Sequence, residues 1–575
     1  MGDQERISAS GGDDEQCTTP PQSFSLMKTT EAAVKLAPWR RRWPARMSWL
    51  VKAAAVAVAV LIAVVVLLSY ASSGDNDEMP DSLFTTRAPA NLTDDQLLDG
   101  LLTNEFSSQS CRSRYEFADY HKKKKPTHSK PSPYLISKLR QHEAIQKRCG
   151  PGTAPYSKAL RRLHSSSSSG DAAADSGEEC RYVVSISYRR GLGNRILAVV
   201  SAFLYAVLTS RALLVAPYDG DLADLFCEPF PSATWLLPDA DRHRFPLRQR
   251  LSDLDSKSKD SLGTILRKND NNNNNATSLT YVYLHLDGGA DFHDKLFYCD
   301  DQQLGLLRHV PWLLMKTDSY IIPGLFLVPS FQHELDRLFP GDVDKDAVFH
   351  HLSRYLLHPT NPIWHAITTY HRANLAAAAR LVGMQIRVYH KETPPVSRVV
   401  LDQILACARL AHIFPPPPNT SVLVTSLNPW YAERISAGGE GEYSSLAVHQ
   451  PSHEGEQRMG DAEQDRRALA EMHLLSTCDA LMDTGFSTFG YVAAGMAGAR
   501  AWVMPRRPWW EKEAAAEVPD PPCAVAASPE PCFHSPSYYD CAARRDYGDI
   551  GKVLPYVRRC EDVSWGIKLV GGSSL

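Results

Sequence analysis

Arg387 stands inside the apolar run Met384-Gln-Ile-Arg-Val-Tyr389, where an unpaired charge is costly. Two kinds of partner would keep it there. One is a buried carboxylate; the other, if Arg387 lies near the carboxyl end of a strand, is a diphosphate gripped by both arms of its guanidinium. A second candidate anion site is Gly191-Leu-Gly-Asn-Arg195, which joins a strand pattern to a helix pattern. Gly191 and Gly193 allow a tight turn, and the backbone N–H groups around Asn194, with the helix N-terminus that follows, can face a phosphate; an ordinary structural turn would use the same residues. Arg195 adds a fixed positive fork. The third is Phe486-Ser-Thr-Phe-Gly-Tyr491, at the start of an apolar helix of small residues. Ser487 or Thr488 can cap that helix, either as a plain cap or beside a phosphate bound by its free N–H groups.

Asp-x-Asp triplets at Asp219/Asp221, Asp239/Asp241, Asp253/Asp255 and Asp342/Asp344 have the spacing to hold a metal that bridges a nucleotide diphosphate. None follows an apolar strand closely, and the chain contains 65 acidic residues, so solvated loops account for them better. Nucleophilic catalysis has no candidate: there is no G-x-S-x-G elbow, no P-loop and no zinc-type cysteine and histidine spacing. The chemistry on offer is anion binding in a cleft.

The elements that must position these residues alternate between strand and helix patterns, which implies α/β layers with parallel sheets. Arg181–Tyr188 reads as a strand, Ile196–Thr209 as an apolar helix and Ala212–Val215 as the returning strand. A second series runs from a strand at Met384–Tyr389 through a helix at Val399–Ala411, a strand at Ser421–Thr425 and a helix near Arg467–Ser476. It ends with a strand at Ala480–Met482, a helix from Thr488 and a strand at Ala501–Met504. Two doubly wound units imply a cleft at the carboxyl ends of their strands.

A length of 575 residues suits two globular domains with non-globular additions, and a formal net charge of −3 points to no nucleic-acid partner. Trp49–Tyr70 is apolar apart from Lys52 and matches the ~20 residues of a membrane-spanning helix. Arg40, Arg41, Arg42 and Arg46 precede it and Asp75, Asp77 and Glu78 follow. This asymmetry predicts a type II signal anchor with a cytosolic tail at 1–48 and a stem at 71–94. Of the 12 cysteines only Cys17 precedes the anchor, so an odd number enters the oxidising lumen and at least one has no partner within the chain. The sequons at Asn91, Asn275 and Asn419 fall on the same side.

Beyond these features, Gly191-Leu-Gly-Asn-Arg-Ile-Leu-Ala198 resembles the first signature of plant galactoside 2-α-L-fucosyltransferases, glycosyltransferase family 37. Leu225–Pro231, Leu296–Cys299, Val310–Tyr320, Phe349–Leu352, His358–Asn361, Gln385–Val388, Ser487–Val492, Glu530–Pro536 and Cys560–Trp565 follow in the family's order. The resemblance spans roughly residues 95 to 570. It implies a GT-B-like fold of two facing Rossmann-like doubly wound domains, here at 95–375 on the acceptor side and 376–575 on the GDP-fucose side. It also implies inverting transfer of L-fucose from GDP-fucose to the 2-hydroxyl of a terminal galactose, on xyloglucan or an arabinogalactan glycan, with no metal and no other cofactor. By the same resemblance, Arg387 and Ser487, Thr488, Phe489 and Gly490 match donor-binding positions, and Asp318 matches a position implicated in the chemistry of the acceptor hydroxyl. Gly191, Gly193, Asn194 and Arg195 would face the donor across the cleft.

Residence in the Golgi membrane, with a second copy or other Golgi glycosyltransferases as partners, fits the same picture. Departures from the family pattern are Arg190, where a small residue is expected, Phe486 in place of tryptophan, the stretch Glu463–Leu469, and a polar insert around Ser256–Asn275. A protein O-fucosyltransferase-like enzyme and a non-catalytic Golgi partner of active fucosyltransferases remain the alternative readings.

Overall fold

The computed structural model describes residues 94–571 except 104, 108, 122–129, 166–178, 187–189, 217–221, 239–244, 246–249, 270–278, 342–344, 389–396, 415, 438–445, 506–516, 539–540 and 542–553. The expected tail and anchor, the stem up to residue 93, Asn91, Asn275 and the triplets other than Asp253/Asp255 lie outside the described residues. Among the described residues, no helix is long and apolar enough to cross a membrane.

The first sheet is built from β1 (Tyr182–Ile186), β2 (Ala212–Ala216), β3 (Tyr281–His285) and β4 (Trp312–Lys316) in the order β2-β1-β4-β3, all parallel. Every residue of β1 and β2 is buried, as befits strands covered on both faces, which read as continuous apolar runs rather than alternations. Between them runs α1 (Leu192–Leu208), buried along nearly its whole length. A helix apolar all round must be covered on every side, and here the first sheet, Val348–Leu356 and helices of the second half surround it.

The second sheet has the order β10-β9-β8-β5-β6-β7. Its strands are β5 (Arg380–Ile386), β6 (Thr420–Ser426), β7 (Ala447–His449), β8 (Ala480–Thr484), β9 (Trp502–Met504) and β10 (Ala524–Val525), and only β10 is antiparallel to its neighbour. The crossovers contain α2 (Arg398–Leu410), α3 (Ala462–Ser476) and α4 (Thr488–Ala497).

Three boundaries differ from expectation in ways that matter for the site. β5 starts earlier, at Arg380, and ends at Ile386, so Arg387 follows the strand instead of lying within it. Gly193, Asn194 and Arg195 belong to the first turn of α1, because the helix begins at Leu192. α3 begins at Ala462 rather than near Arg467, because the Asp461 carboxylate accepts from the N–H groups of Glu463 and Gln464 and caps the extra turn.

Among the described residues, five disulfides join Cys111–Cys227, Cys149–Cys180, Cys299–Cys541, Cys407–Cys523 and Cys532–Cys560, and Cys478 is a buried cysteine outside them. The odd count of cysteines is thereby resolved. Cys299–Cys541 ties the first half to the C-terminal segment, and a buried carboxylate reinforces that join: Glu530 accepts from Tyr320 Oη at 2.6 Å and from the Phe349 N–H at 2.7 Å.

Burial pushes the Glu530 carboxyl up to about 7, against the pull of those two donors. A carboxyl raised above its ordinary range near 4.5 leaves the folded state holding more protons than the unfolded chain, so stability falls as pH rises between the two values. The loss is on the order of 3 kcal/mol at ~1.4 kcal/mol per unit. Thermal unfolding of wild type and Glu530→Gln, compared between pH 5 and 7.5, is expected to show a shallower decline in the variant. Identical slopes would refute the assignment.

Candidate functional site

A cavity of about 360 Å³ opens where the carboxyl ends of both sheets meet, between the β1–α1 turn and Asp318 of the first half and the ends of β5, β6 and β8 of the second. This is where doubly wound sheets bind ligands, because strand ends and helix N-termini converge there. The volume lies within the ~300–1,000 Å³ typical of ligand pockets.

Arg387 lines the cavity one residue beyond β5. Its backbone N–H donates to Thr484 Oγ1 at 3.0 Å and its Nη2 to Gln457 Oε1 at 2.7 Å, so β8 and the segment after β7 together aim the guanidinium. Opposite it, α4 begins. Ser487 is its N-cap by backbone conformation, yet neither expected hydroxyl cap forms, because Thr488 Oγ1 donates to Asn194 Oδ1 at 3.0 Å instead. The first turn of α4 therefore lacks a side-chain cap, a geometry that favours an anion.

Gly193 is required by a close approach rather than by a phosphate cradle: a Cβ there would lie 2.7 Å from the Thr488 carbonyl. The N-termini of α1 and α4 thus meet at the cavity, and Asn194 links them to the loop after β4, its Nδ2 donating to the Asp318 carbonyl at 2.8 Å. Gly490 is tight for a similar reason, since a Cβ would meet the Asp483 carboxylate at 2.8 Å.

Arg195 is a correction. It was expected to face a ligand, but its guanidinium is buried and paired with Asp465 of α3, and it is absent from the cavity wall. A guanidinium in the first turn of a fully packed helix has no route to solvent, so a buried carboxylate satisfies it. Removing either partner would strand a buried charge.

Asp318 follows β4. Its Oδ1 accepts from Ser319 Oγ at 3.1 Å and Gly288 N–H at 3.3 Å, and its Oδ2 from Arg190 Nε at 3.1 Å. The unexpected Arg190 thus sits against the candidate base, half exposed.

Phe486 adopts φ 63°, a left-handed conformation that strains a bulky residue and is characteristic of constrained sites. Its N–H donates to Asp562 Oδ2 at 2.5 Å, Tyr491 Oη donates to the same oxygen, and its ring stacks on His534 with centroids 4.2 Å apart. Burial pushes the His534 imidazole down to about 4, against the opposing fields of Asp562 and Asp318, so a neutral imidazole lines the cavity near pH 7.

Sequence reasoning assigned no role to Gln457, Asp465, Glu471, His534 or Asp562. His534 and Asp562 lay inside matched segments and Asp465 inside the departing stretch Glu463–Leu469, whereas nothing local marked Gln457 or Glu471. Asp253 and Asp255 occupy a turn, with Asp255 Oδ1 accepting from the N–H of Lys257 at 3.0 Å. Asn419 is exposed.

A family model described as xyloglucan fucosyltransferase matches residues 76–542. The chain is 45% identical over 500 residues to a galactoside 2-alpha-L-fucosyltransferase of Pisum sativum, covering 83% of each chain. It is 44% identical over 499 residues to the galactoside 2-alpha-L-fucosyltransferase of Arabidopsis thaliana, covering 84% of each. A solved structure of an Arabidopsis thaliana FUT1 mutant in complex with GDP is similar at a TM-score of 0.72 and 44% identity, over 83% of this chain and 100% of that one.

Proposed function

The chain belongs to the xyloglucan fucosyltransferase family, and from that premise we infer that it is a galactoside 2-α-L-fucosyltransferase using GDP-fucose as donor. The observation that carries this reading is the convergence of Arg387, the uncapped first turn of α4 and Asp318 on one cavity. Breaking the bond between fucose C1 and the β-phosphate oxygen develops negative charge on GDP. The Arg387 fork and the N–H groups of Ser487, Thr488 and Phe489, which line the cavity, would meet that charge, whereas Gly490 is absent from the cavity wall and packs against Asp483. Gly193 and Asn194 would close the donor side by bringing α1 against α4, and Gly191, where a Cβ would meet Gln457 Nε2 at 2.7 Å, keeps the turn close to the residue that holds Arg387. The galactose 2-hydroxyl attacks C1 from the face opposite the departing phosphate, inverting the centre, with its proton directed to Asp318.

Because protein cations and helix N–H groups supply the counter-charge, we expect turnover without a divalent ion. The test is release of GDP from GDP-fucose in the presence of galactose-terminated xyloglucan or arabinogalactan oligosaccharides, with and without EDTA. Equal turnover in both conditions is expected. Activity abolished by EDTA and restored by manganese would sink the metal-free mechanism. Transfer only to folded protein domains, or GDP binding without turnover, would replace the proposed function.

We further propose a Golgi-membrane enzyme anchored through Trp49–Tyr70 with its catalytic part in the lumen. The five disulfides support it, since such bonds persist in oxidising compartments. Protease added to sealed microsomes should spare the catalytic part, and digestion without detergent would refute the topology.

A further inference from the structure

Along the carboxyl edge of the second sheet, α4 follows β8, Arg387 follows β5, Thr425 and Ser426 end β6 and Ser452 lies beyond β7. Neighbouring strands are ~4.8 Å apart, so the three steps from β8 to β7 carry the cavity roughly 14 Å away from the phosphate-facing helix. That is the reach of a nucleoside diphosphate from its terminal phosphate to its base. At this far end Glu471 of α3 lines the cavity although its side chain is almost wholly buried, 7% exposed, and Ser452 Oγ donates to its Oε1 at 2.6 Å. The Ser452 N–H donates to the same carboxylate, Glu454 and Arg467 are the adjacent charges with opposite pulls on it, and Tyr370 faces it from the helix Asn361–Tyr370 packed against α3.

Both Ser452 links are donations that a glutamine oxygen could accept equally well, so they do not explain why a carboxyl is buried here. Taking a charged group out of water is costly unless something pairs with it. An ionised carboxylate is acceptor-only, with room for further hydrogen bonds on both oxygens, and the group that matches it is a pair of adjacent N–H donors. Guanine presents such a pair, N1–H beside its 2-amino group; adenine presents a donor beside an acceptor, and uracil a single donor.

We propose that Glu471, oriented by Ser452, reads the N1–H and 2-amino edge of guanine and so selects a guanosine diphosphate donor. This rests on the donor assignment above and names the residue that makes it base-specific. Ionised Glu471 pays part of its desolvation through those two charge-assisted bonds.

The test measures GDP and inosine diphosphate binding to the detergent-solubilised full chain by calorimetry. Inosine diphosphate has the same ribose and phosphates and lacks only the 2-amino group. Wild type should prefer GDP by about tenfold to a hundredfold, the usual worth of one hydrogen bond to a charged group. In Glu471→Gln the amide nitrogen opposes a donor with a donor, and the ratio should collapse toward one while a normal unfolding midpoint certifies the fold. If that variant does not fold, Ser452→Ala must still lower the ratio, because the carboxylate loses its orienting bond. A wild-type ratio near one, or variants that keep the wild-type ratio, overturns the inference and leaves the donor assignment standing. Failure of wild type to bind either nucleotide overturns both.

Discussion

Replacing Arg387 by alanine is expected to lower kcat by at least about 10²- to 10³-fold, the range for removing a preorganised donor aimed at developing charge, and to weaken GDP binding as well. The guanidinium stands at the end of β5, held by Gln457 Oε1 at 2.7 Å, and shares the cavity with the uncapped start of α4. Its interaction strengthens as the C1–O bond breaks, so part of the loss falls on turnover and part on ground-state affinity. Arg387→Lys keeps the charge but loses the planar fork and the reach to two phosphate oxygens at once, so it should remain strongly impaired. Calorimetry with GDP beside turnover measurements separates the two contributions. GDP affinity unchanged in Arg387→Ala would remove the phosphate assignment, and near-normal turnover in Arg387→Lys would show that charge alone suffices.

Asp318→Asn should lower turnover by roughly 10²- to 10⁴-fold, the span of general acid–base catalysis, with GDP affinity nearly intact. The substitution keeps the shape. Ser319 Oγ and the Gly288 N–H can still donate to the amide oxygen in place of Oδ1, whereas the amide nitrogen would face Arg190 Nε, donor against donor. In wild type that guanidinium already engages Oδ2, so under the proposed mechanism an incoming galactose hydroxyl would share the carboxylate with Arg190. A transition state dominated by C1–O cleavage would ask Asp318 mainly to orient the hydroxyl, and the loss would then sit at the lower end of the range. Wild-type turnover in Asp318→Asn defeats the base assignment. A matching loss of GDP affinity would instead indicate that the loop carrying Asp318, tied through Asn194 to α4, had shifted.

The sequence alone determined what short-range physics controls. Apolar runs between turn residues placed β1, α1, β6, β8 and α4 within a few residues of where they lie, because a strand covered on both faces and a helix covered all round leave unbroken hydrophobic signatures. Cysteine parity required at least one cysteine without a disulfide partner within the lumenal part of the chain, and five bonds with Cys478 outside them met it. Arg387 was legible because a charge in an apolar run needs a reason. Its reason turned on whether the strand ended before it, which the pairing of β5 with β6 and β8 decided.

Tertiary structure alone decided the partners. Arg195 and Asp465 are separated by 270 residues, Asn194 and Thr488 by 294, and no local pattern distinguishes an arginine that will meet a carboxylate from one that will meet a phosphate. Glu471 looked like one more polar position on a helix until Ser452 and the cavity wall closed around it. Such roles depend on which distant surface is brought within ~3 Å, the range over which hydrogen bonds discriminate, and chain folding sets that distance through the packing of whole sheets and helices rather than through the residues' own neighbours in sequence.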